Sequence, residues 1–193
     1  MLILIITVVL VFNVKFDIKN VNKLCDSLKK ELKSVKGAKA GILKNKRYPG
    51  KDGKEGITLV ENALIQEYGA TIPVTDKMRK WFMAQGFPLR KDKTTIVIPP
   101  RPFLRTALKK QKEWVRFVNE YFDADMSGGL TLKQIATRVG VLMQGAIQES
   151  ILSNIPPENS DFTVMKKGSS STLRDTGLLV NSIHSEVITN DRS

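Results

Sequence analysis

The chain has 193 residues, of which 41% are hydrophobic and 26% are charged. This composition is typical of a folded globular protein and excludes a disordered tail, and the length suffices for one domain with a sizeable core. We therefore expect residues 1–193 to form a single domain. The single Cys25 excludes an internal disulfide, so the sequence implies no oxidising compartment.

The net charge of +12 is unevenly distributed along the chain. Residues 19–54 carry twelve Lys or Arg against three Asp or Glu, a net of +9, and residues 76–116 repeat the same count. Such regions attract phosphate backbones or acidic protein surfaces. Aromatic residues are not interleaved with the basic ones, which argues against a stacking platform for single-stranded nucleic acid.

The predicted elements begin with an apolar run over residues 2–12, interrupted by Thr7. The run is shorter than the roughly 20 residues of a membrane span, and no basic segment precedes it as in a secretory signal. Its Val and Ile content favours a β-strand, or an extended arm over residues 1–12 that joins a neighbour's sheet.

A helix is predicted next, capped by Asn20 and ended by Gly37. Its apolar positions follow the helical period: Val21, Leu24, Cys25, Leu28, Leu32 and Val35. Cys25 on this face is interpreted as a small buried hydrophobe rather than a nucleophile. A short strand over residues 38–43 leads into an exposed basic loop, residues 44–56. This loop is the candidate contact for DNA or a partner protein, through Lys44, Lys46, Arg47, Lys51 and Lys54.

Two short helices and a strand follow. Thr58 and Glu61 form a predicted capping box that opens a helix closed by Gly69. A second helix opens at Thr75 and closes at Gly86. Residues 94–98 form a strand that stops at Pro99-Pro100, because proline cannot donate to a β-ladder.

The second half of the chain is predicted to be largely helical. A long basic helix runs from Arg101 to about residue 122, and another runs from about 131 to 154. A helix from Asp175 and a strand over residues 185–188 close the chain. Strands and helices without regular alternation predict an α+β fold, with a small antiparallel or mixed sheet packed against several helices.

Residues 123–134, between the two long helices, resemble a calcium-binding EF-hand loop with Gly128 at its sharp turn. Gln134 breaks the match, because a bidentate Glu is expected at that position. The alternative needs no metal: the acidic residues satisfy backbone donors and Thr131 caps the next helix. We favour this alternative and expect no metal or cofactor.

Asp175-Thr176-Gly177 spells the active-site triplet of aspartic proteases. Its surroundings have helical rather than strand character, so we interpret Asp175 as a helix N-cap that accepts from the backbone of Gly177 or Leu178. His184 is the only histidine, which leaves little for a catalytic triad or a His-based metal site. The sequence therefore predicts a protein without enzymatic activity.

Three triplets in order carry a family resemblance: Glu67-Tyr68-Gly69, Arg101-Pro102-Phe103 after Pro99-Pro100, and Asp175-Thr176-Gly177. With the helix and strand order around them, the chain from residue 11 onward resembles the tailed-bacteriophage neck family. These proteins are also called tail-completion or virion-morphogenesis proteins, and the G-like protein of phage Mu and the Z-like protein of phage lambda are compared with them.

The resemblance implies a structural virion protein that forms part of an oligomeric head-tail connector ring around the DNA channel. Its implied partners are further copies of itself, the adjacent head-closure and tail-terminator or tail-tube proteins, and packaged DNA by non-specific contact, with no membrane. Its implied location is the virion neck, after assembly in the host cytoplasm. Within the signature, Arg101 would hydrogen-bond carbonyls and Phe103 would be buried. The alternative is a basic nucleic-acid-binding protein without enzymatic activity.

Overall fold

The computed structural model describes residues 5–9, 33–48, 56–125 and 131–189, with the backbone alone for residues 5–9 and 121–125. Among these, five strands form two antiparallel sheets. The first sheet has the order β1-β2-β5, with β1 at Ile5–Val9, β2 at Val35–Ile42 and β5 at Ile183–Thr189. The second is a pair of short strands, β3 at Ala70–Pro73 and β4 at Thr95–Ile98. The fold is α+β, as predicted.

Residues 33–34 are helical just before β2, and the helices with described bounds lie between β2 and β5. Their bounds are α1 Leu59–Tyr68, α2 Asp76–Ala84, α3 Phe103–Leu108, α4 Gln111–Asp125, α5 Leu132–Leu152, α6 Asp161–Lys167 and α7 Leu178–Asn181. The predicted capping box at Thr58 is confirmed: Thr58 Oγ1 accepts the Glu61 N–H at 3.1 Å, and Glu61 Oε2 accepts the Thr58 N–H at 2.7 Å. Thr131 and Gln134 form a second capping box at the start of α5.

The core lies where α5 crosses the first sheet. Small residues allow this close approach, because a Cβ added to Gly140 would lie 3.2 Å from the Ser185 Cβ and 3.6 Å from the Ala38 Cβ. The buried apolar face of α5 consists of Leu132, Ile135, Ala136, Val139, Met143, Ala146, Ile147 and Ile151. Leu142 of α5 lies off this face and is 40% exposed.

The N-terminal predictions are partly outside the described residues. Ile5–Val9 pairs with β2 of its own chain, so this stretch of the predicted arm is a strand of the first sheet. Most of the helix predicted from Asn20, with Cys25, lies outside the described residues. Its predicted end at Gly37 is wrong, because β2 begins at Val35 and Gly37 pairs with Ile188.

Two helical regions of the structure differ from the prediction. The single basic helix from Arg101 is two helices, because the backbone tightens at Lys109 and Lys110 into bonds to residues three positions back. Because of this break, α3 and α4 do not bury one continuous apolar stripe. Leu108 and Val115 are exposed, and Trp114 is buried. The helix α6, capped by Ser160 and ended by the left-handed Gly168, was not predicted at all.

Candidate functional site

The first two signature triplets meet at the junction of α1 and α3. The Glu67 side chain is 1% exposed at the end of α1, and its carboxylate accepts the backbone N–H groups of Leu104 at 2.9 Å and Arg105 at 3.2 Å. Pro102, the N-cap residue of α3, makes no side-chain hydrogen bond of its own. The carboxylate of Glu67 therefore caps α3 from another helix, where negative charge is also favoured by the helix dipole.

Arg105 completes this junction, and sequence reasoning missed it. Its Nε donates to Glu67 Oε1 at 2.9 Å, its Nη2 donates to the Glu67 backbone oxygen at 2.6 Å, and its guanidinium lies 5.1 Å from the ring centroid of Tyr68. A buried carboxylate requires a cationic partner, so Glu67 itself was the one feature of the sequence that indicated a partner such as Arg105. We find that Tyr68 is exposed and serves the junction through its ring face.

Gly69 allows the chain to turn from α1 into β3 against the end of β4. Its φ of 79° and ψ of 172° lie in a region that is essentially restricted to glycine. A Cβ at this position would lie 2.8 Å from the Ile98 backbone oxygen and 3.1 Å from Pro100. The glycine is therefore required both by its backbone conformation and by its close neighbours.

Arg101 ties the end of β4 to the segment that follows α5. The residue is 5% exposed, and its guanidinium donates to the carbonyls of Pro157 at 2.9 Å and Glu158 at 3.1 Å. It also reaches Asn159 Oδ1 at 3.3 Å, and burial lowers its pKa. Phe103 beside it is fully buried. Hydrogen bonds to carbonyls and burial are the two contacts expected of this pair.

The third triplet lies across a groove from the second. The groove has a volume of about 670 Å³ and is lined by β4, α1, α6 and the loops around residues 157–160 and 172–177. Pro99 and Arg101 line it together with Asp175, Thr176 and Gly177. Glu67, Tyr68, Gly69, Pro102 and Phe103 do not line it and form the junction beside it.

The predicted role of Asp175 as an N-cap is wrong. Gly177, with a φ of 77°, precedes α7, and the Leu178 N–H donates to Thr176 Oγ1 at 3.4 Å. The short helix thus begins two residues later than the N-cap prediction requires. Asp175 is exposed on the groove wall, where its charge raises the pKa of Lys167 against the larger lowering effect of burial.

The basic loop is described only in part. Lys44, Lys46 and Arg47 are exposed, whereas Lys51 and Lys54 lie outside the described residues. Arg47 pairs with Thr58 through the backbone and donates from Nη1 to the Gly56 oxygen at 3.2 Å.

The remaining candidates for chemistry are dispersed. His184 is an exposed residue in β5. Gln134, at the end of the calcium-like loop, accepts the Thr131 N–H through Oε1 at 2.8 Å; residues 126–130 lie outside the described residues. Across the ranges that the structure covers, no three His, Cys, Asp or Glu side chains gather as metal ligands would.

Comparisons of the chain with protein-family models, curated proteins and solved structures gave no match. Within the described part of the chain, no helix combines the length and apolar character needed to cross a membrane.

Proposed function

We propose that this chain is a structural virion protein of the tailed-phage neck, part of the head-tail connector ring that completes or joins the tail around the DNA channel. The observation that carries the proposal is how the signature residues are used. The carboxylate of Glu67 and the guanidinium of Arg101 are both buried, and their hydrogen bonds go to backbone groups of other segments. Residues used in this way fix the chain path, as a scaffold subunit requires.

The long-range contacts of the signature residues support the same class of protein. Glu67 and Arg101 are far apart in the sequence, and each makes contacts to segments more than 35 residues away. A ring subunit must present two different faces at fixed angles, and rigid joints between its helices and its strand pair serve that purpose. The resemblance to the neck family therefore concerns residues that shape the subunit.

The proposal is tested by electron microscopy of the purified protein and of particles assembled without it. We expect the protein to form rings, alone or on an assembly partner, and we expect lysates that lack it to contain filled heads without joined tails. Restoring the wild-type chain in trans should restore joined tails. Infectious, fully assembled particles made without the protein would refute the proposal.

The alternative is a free nucleic-acid-binding protein, favoured by the exposed cations Lys44, Lys46 and Arg47. It predicts DNA binding by a monomer or dimer, with a salt dependence whose slope becomes shallower by about 0.9 for each phosphate that the protein ceases to neutralise. Changing Lys46 and Arg47 to Gln would reduce that slope. The matched control is the pair Lys133→Gln and Arg138→Gln, which removes one Lys and one Arg from exposed positions of α5 outside both basic regions.

A further inference from the structure

We propose that the open edge of β4 binds an extended segment of a neighbouring protein, and that this segment places an acidic side chain against Lys167. The features that carry this inference are the backbone of Thr95–Ile98, the groove beside it, and Lys167 on the far wall of that groove. Binding of this kind does not depend on the neck role, because the purified chain alone carries all of these groups.

The register of the strand pair shows which backbone groups of β4 are available. The Val74 N–H donates to the Thr94 oxygen at 2.8 Å, and the pairing continues as Ile72 with Ile96 and Ala70 with Ile98. In an antiparallel pair, hydrogen-bonded and non-hydrogen-bonded positions alternate. The N–H and C=O groups of Thr95 and Val97 therefore point away from β3. Among the described residues, β4 pairs with no strand other than β3, and no loop donates to these groups or accepts from them.

The two edges of this strand pair differ in one important respect. On the outer edge of β3, Pro73 occupies an outward-facing position and has no N–H to donate, which is a common way to protect an edge strand. No proline interrupts Thr95–Ile98. Among the described residues, the strand pair is thus blocked on one edge and unpaired on the other, where a further strand could add.

The groove meets β4 along this open edge. Ile96, Val97 and Ile98 all line it, although successive side chains of a strand point to opposite faces. A cavity that touches three consecutive residues approaches the strand from its side. Its volume of about 670 Å³ is in the range of ordinary ligand sites, and it admits a single extended segment. Strand addition of this kind derives its affinity from main-chain hydrogen bonds.

The far wall of the groove supplies the preference for a carboxylate. Lys167 lines it, with Arg101 and Arg174 close enough to lower the pKa of the Lys167 ammonium, although burial is the larger cause. Among the residues that line the groove, Arg101 and Lys167 are balanced by Glu158 and Asp175, and Arg174, which lies near Lys167 behind the lining, adds one positive charge. An incoming acidic side chain would balance that charge.

One buried hydroxyl also lacks a partner at this wall. Thr172 is 6% exposed and lines the groove, yet among the described residues its Oγ1 has no hydrogen-bond partner. Buried hydroxyls are normally paired, because an unpaired one costs free energy. The Oγ1 atom is itself buried, so the bound segment would contact Lys167 instead. Lys167 Nζ donates to the backbone oxygens of Ser171 at 2.6 Å and Thr172 at 3.5 Å, which leaves one of its three N–H donors for an incoming carboxylate.

The test uses the ¹⁵N-labelled chain and a probe peptide, acetyl-Thr-Val-Thr-Val-Glu-Val-amide, followed by amide NMR. We expect the peptide to shift the Thr95 and Val97 amides and to slow their exchange with solvent. Val97→Pro removes an outward N–H without removing a bond to β3, and should weaken binding about tenfold. Val97→Thr keeps the N–H and the β-branched shape, and should bind as the wild type does.

A double-mutant cycle tests the acidic contact independently of the proline variant. Replacing the peptide Glu by Gln should weaken binding to the wild type but not to Lys167→Gln. The proposal fails if the peptide causes no shifts or shifts that map elsewhere, if the Pro and Thr variants bind equally, or if the Glu effect persists without Lys167. Concentration-dependent shifts of Thr95 and Val97 without peptide would assign the edge to a second copy of the chain, which would also overturn it.

Discussion

Glu67 Oε2 accepts the backbone N–H of Leu104 at 2.9 Å, so a carboxylate from another helix, 37 residues away, caps α3. The same carboxylate pairs with Arg105 on the first turn of that helix. One side chain thus supplies the cap, the counter-ion and the link between α1 and α3. Its removal would leave two backbone N–H groups and a guanidinium without their acceptor.

Glu67→Gln is therefore expected to lower the free energy of unfolding by about 2–4 kcal/mol, because a neutral amide turns one donor toward existing donors. Urea unfolding followed by circular dichroism measures this. Glu149→Gln is the control, since Glu149 pairs with Lys110 at the surface and its loss should change little. Equal effects of the two substitutions would show that Glu67 is not a buried structural link.

Gly69→Ala should destabilise the chain more than Gly86→Ala. Both glycines have φ near +80°, so both substitutions incur the cost of a positive φ. A Cβ at residue 69 would also meet the Ile98 oxygen at 2.8 Å, whereas residue 86 has open space. We expect the two thermal midpoints to differ by an amount equivalent to about 1–3 kcal/mol. Equal midpoints would mean that the Ile98 carbonyl gives way without cost.

Arg101→Lys should lower stability by about 1–3 kcal/mol, because an ammonium cannot donate in the fork that joins Pro157, Glu158 and Asn159. Arg79→Lys is the control: Arg79 also donates to two carbonyls, those of Arg90 and Lys93, but at an exposed site. Amide exchange near Asn159 should accelerate in the first variant alone. Unchanged exchange there would contradict the role assigned to Arg101.

The sequence revealed the parts of this fold that depend on local signals. Thr58 and Glu61 are three residues apart and form a capping box wherever a helix follows, and the period of α5 is long enough to be unambiguous. The break at Lys109 and Lys110 has no such signal. It arises because α3 is held by Glu67 and α4 packs through Trp114, which is a tertiary effect.

The candidate site was predictable to a similar degree. The residues of the triplets stood out in the sequence, but their contacts did not, because Arg105 and the carbonyls of Pro157 and Glu158 lie far away along the chain. Asp175 illustrates the converse error. Its N-cap role is predicted from its neighbours in the sequence. In the structure, the left-handed Gly177 makes α7 begin later, and Thr176 Oγ1 instead of Asp175 accepts the Leu178 N–H.

Calcium is expected to leave the thermal midpoint of the wild-type chain unchanged. Gln134 Oε1 already accepts the Thr131 N–H, and Gln134 lacks the bidentate carboxylate that an EF-hand needs at this position. Calorimetry with and without calcium measures this. A calcium-dependent rise in the midpoint that Asp123→Ala abolishes would contradict the capping interpretation.

The two capping boxes should respond differently to acid. Hydrogen bonding to the backbone N–H of Thr58, its largest cause, lowers the pKa of Glu61 from 4.5, and the Thr58 hydroxyl and Arg47 add to the effect. Because the folded pKa is below the unfolded one, this stabilisation is fully present above the unfolded value and is lost as pH falls through the folded pKa. The box at Thr131 has a neutral Gln134 at its N3 position, so its stabilising effect does not depend on pH in this way.

Glu61→Gln converts the first box into the chemical form of the second. The difference in melting temperature between the wild type and this variant should be largest above the unfolded pKa and should shrink as the pH is lowered toward and below the folded pKa. Thr131→Ala is the control. Because the box at Thr131 contains no ionisable side chain, the loss of melting temperature in this variant should not depend on the ionisation of that box. If the difference caused by Glu61→Gln were the same across that pH range, the charge of Glu61 would contribute nothing to the cap, and its neutral acceptor oxygen alone would explain the helix start.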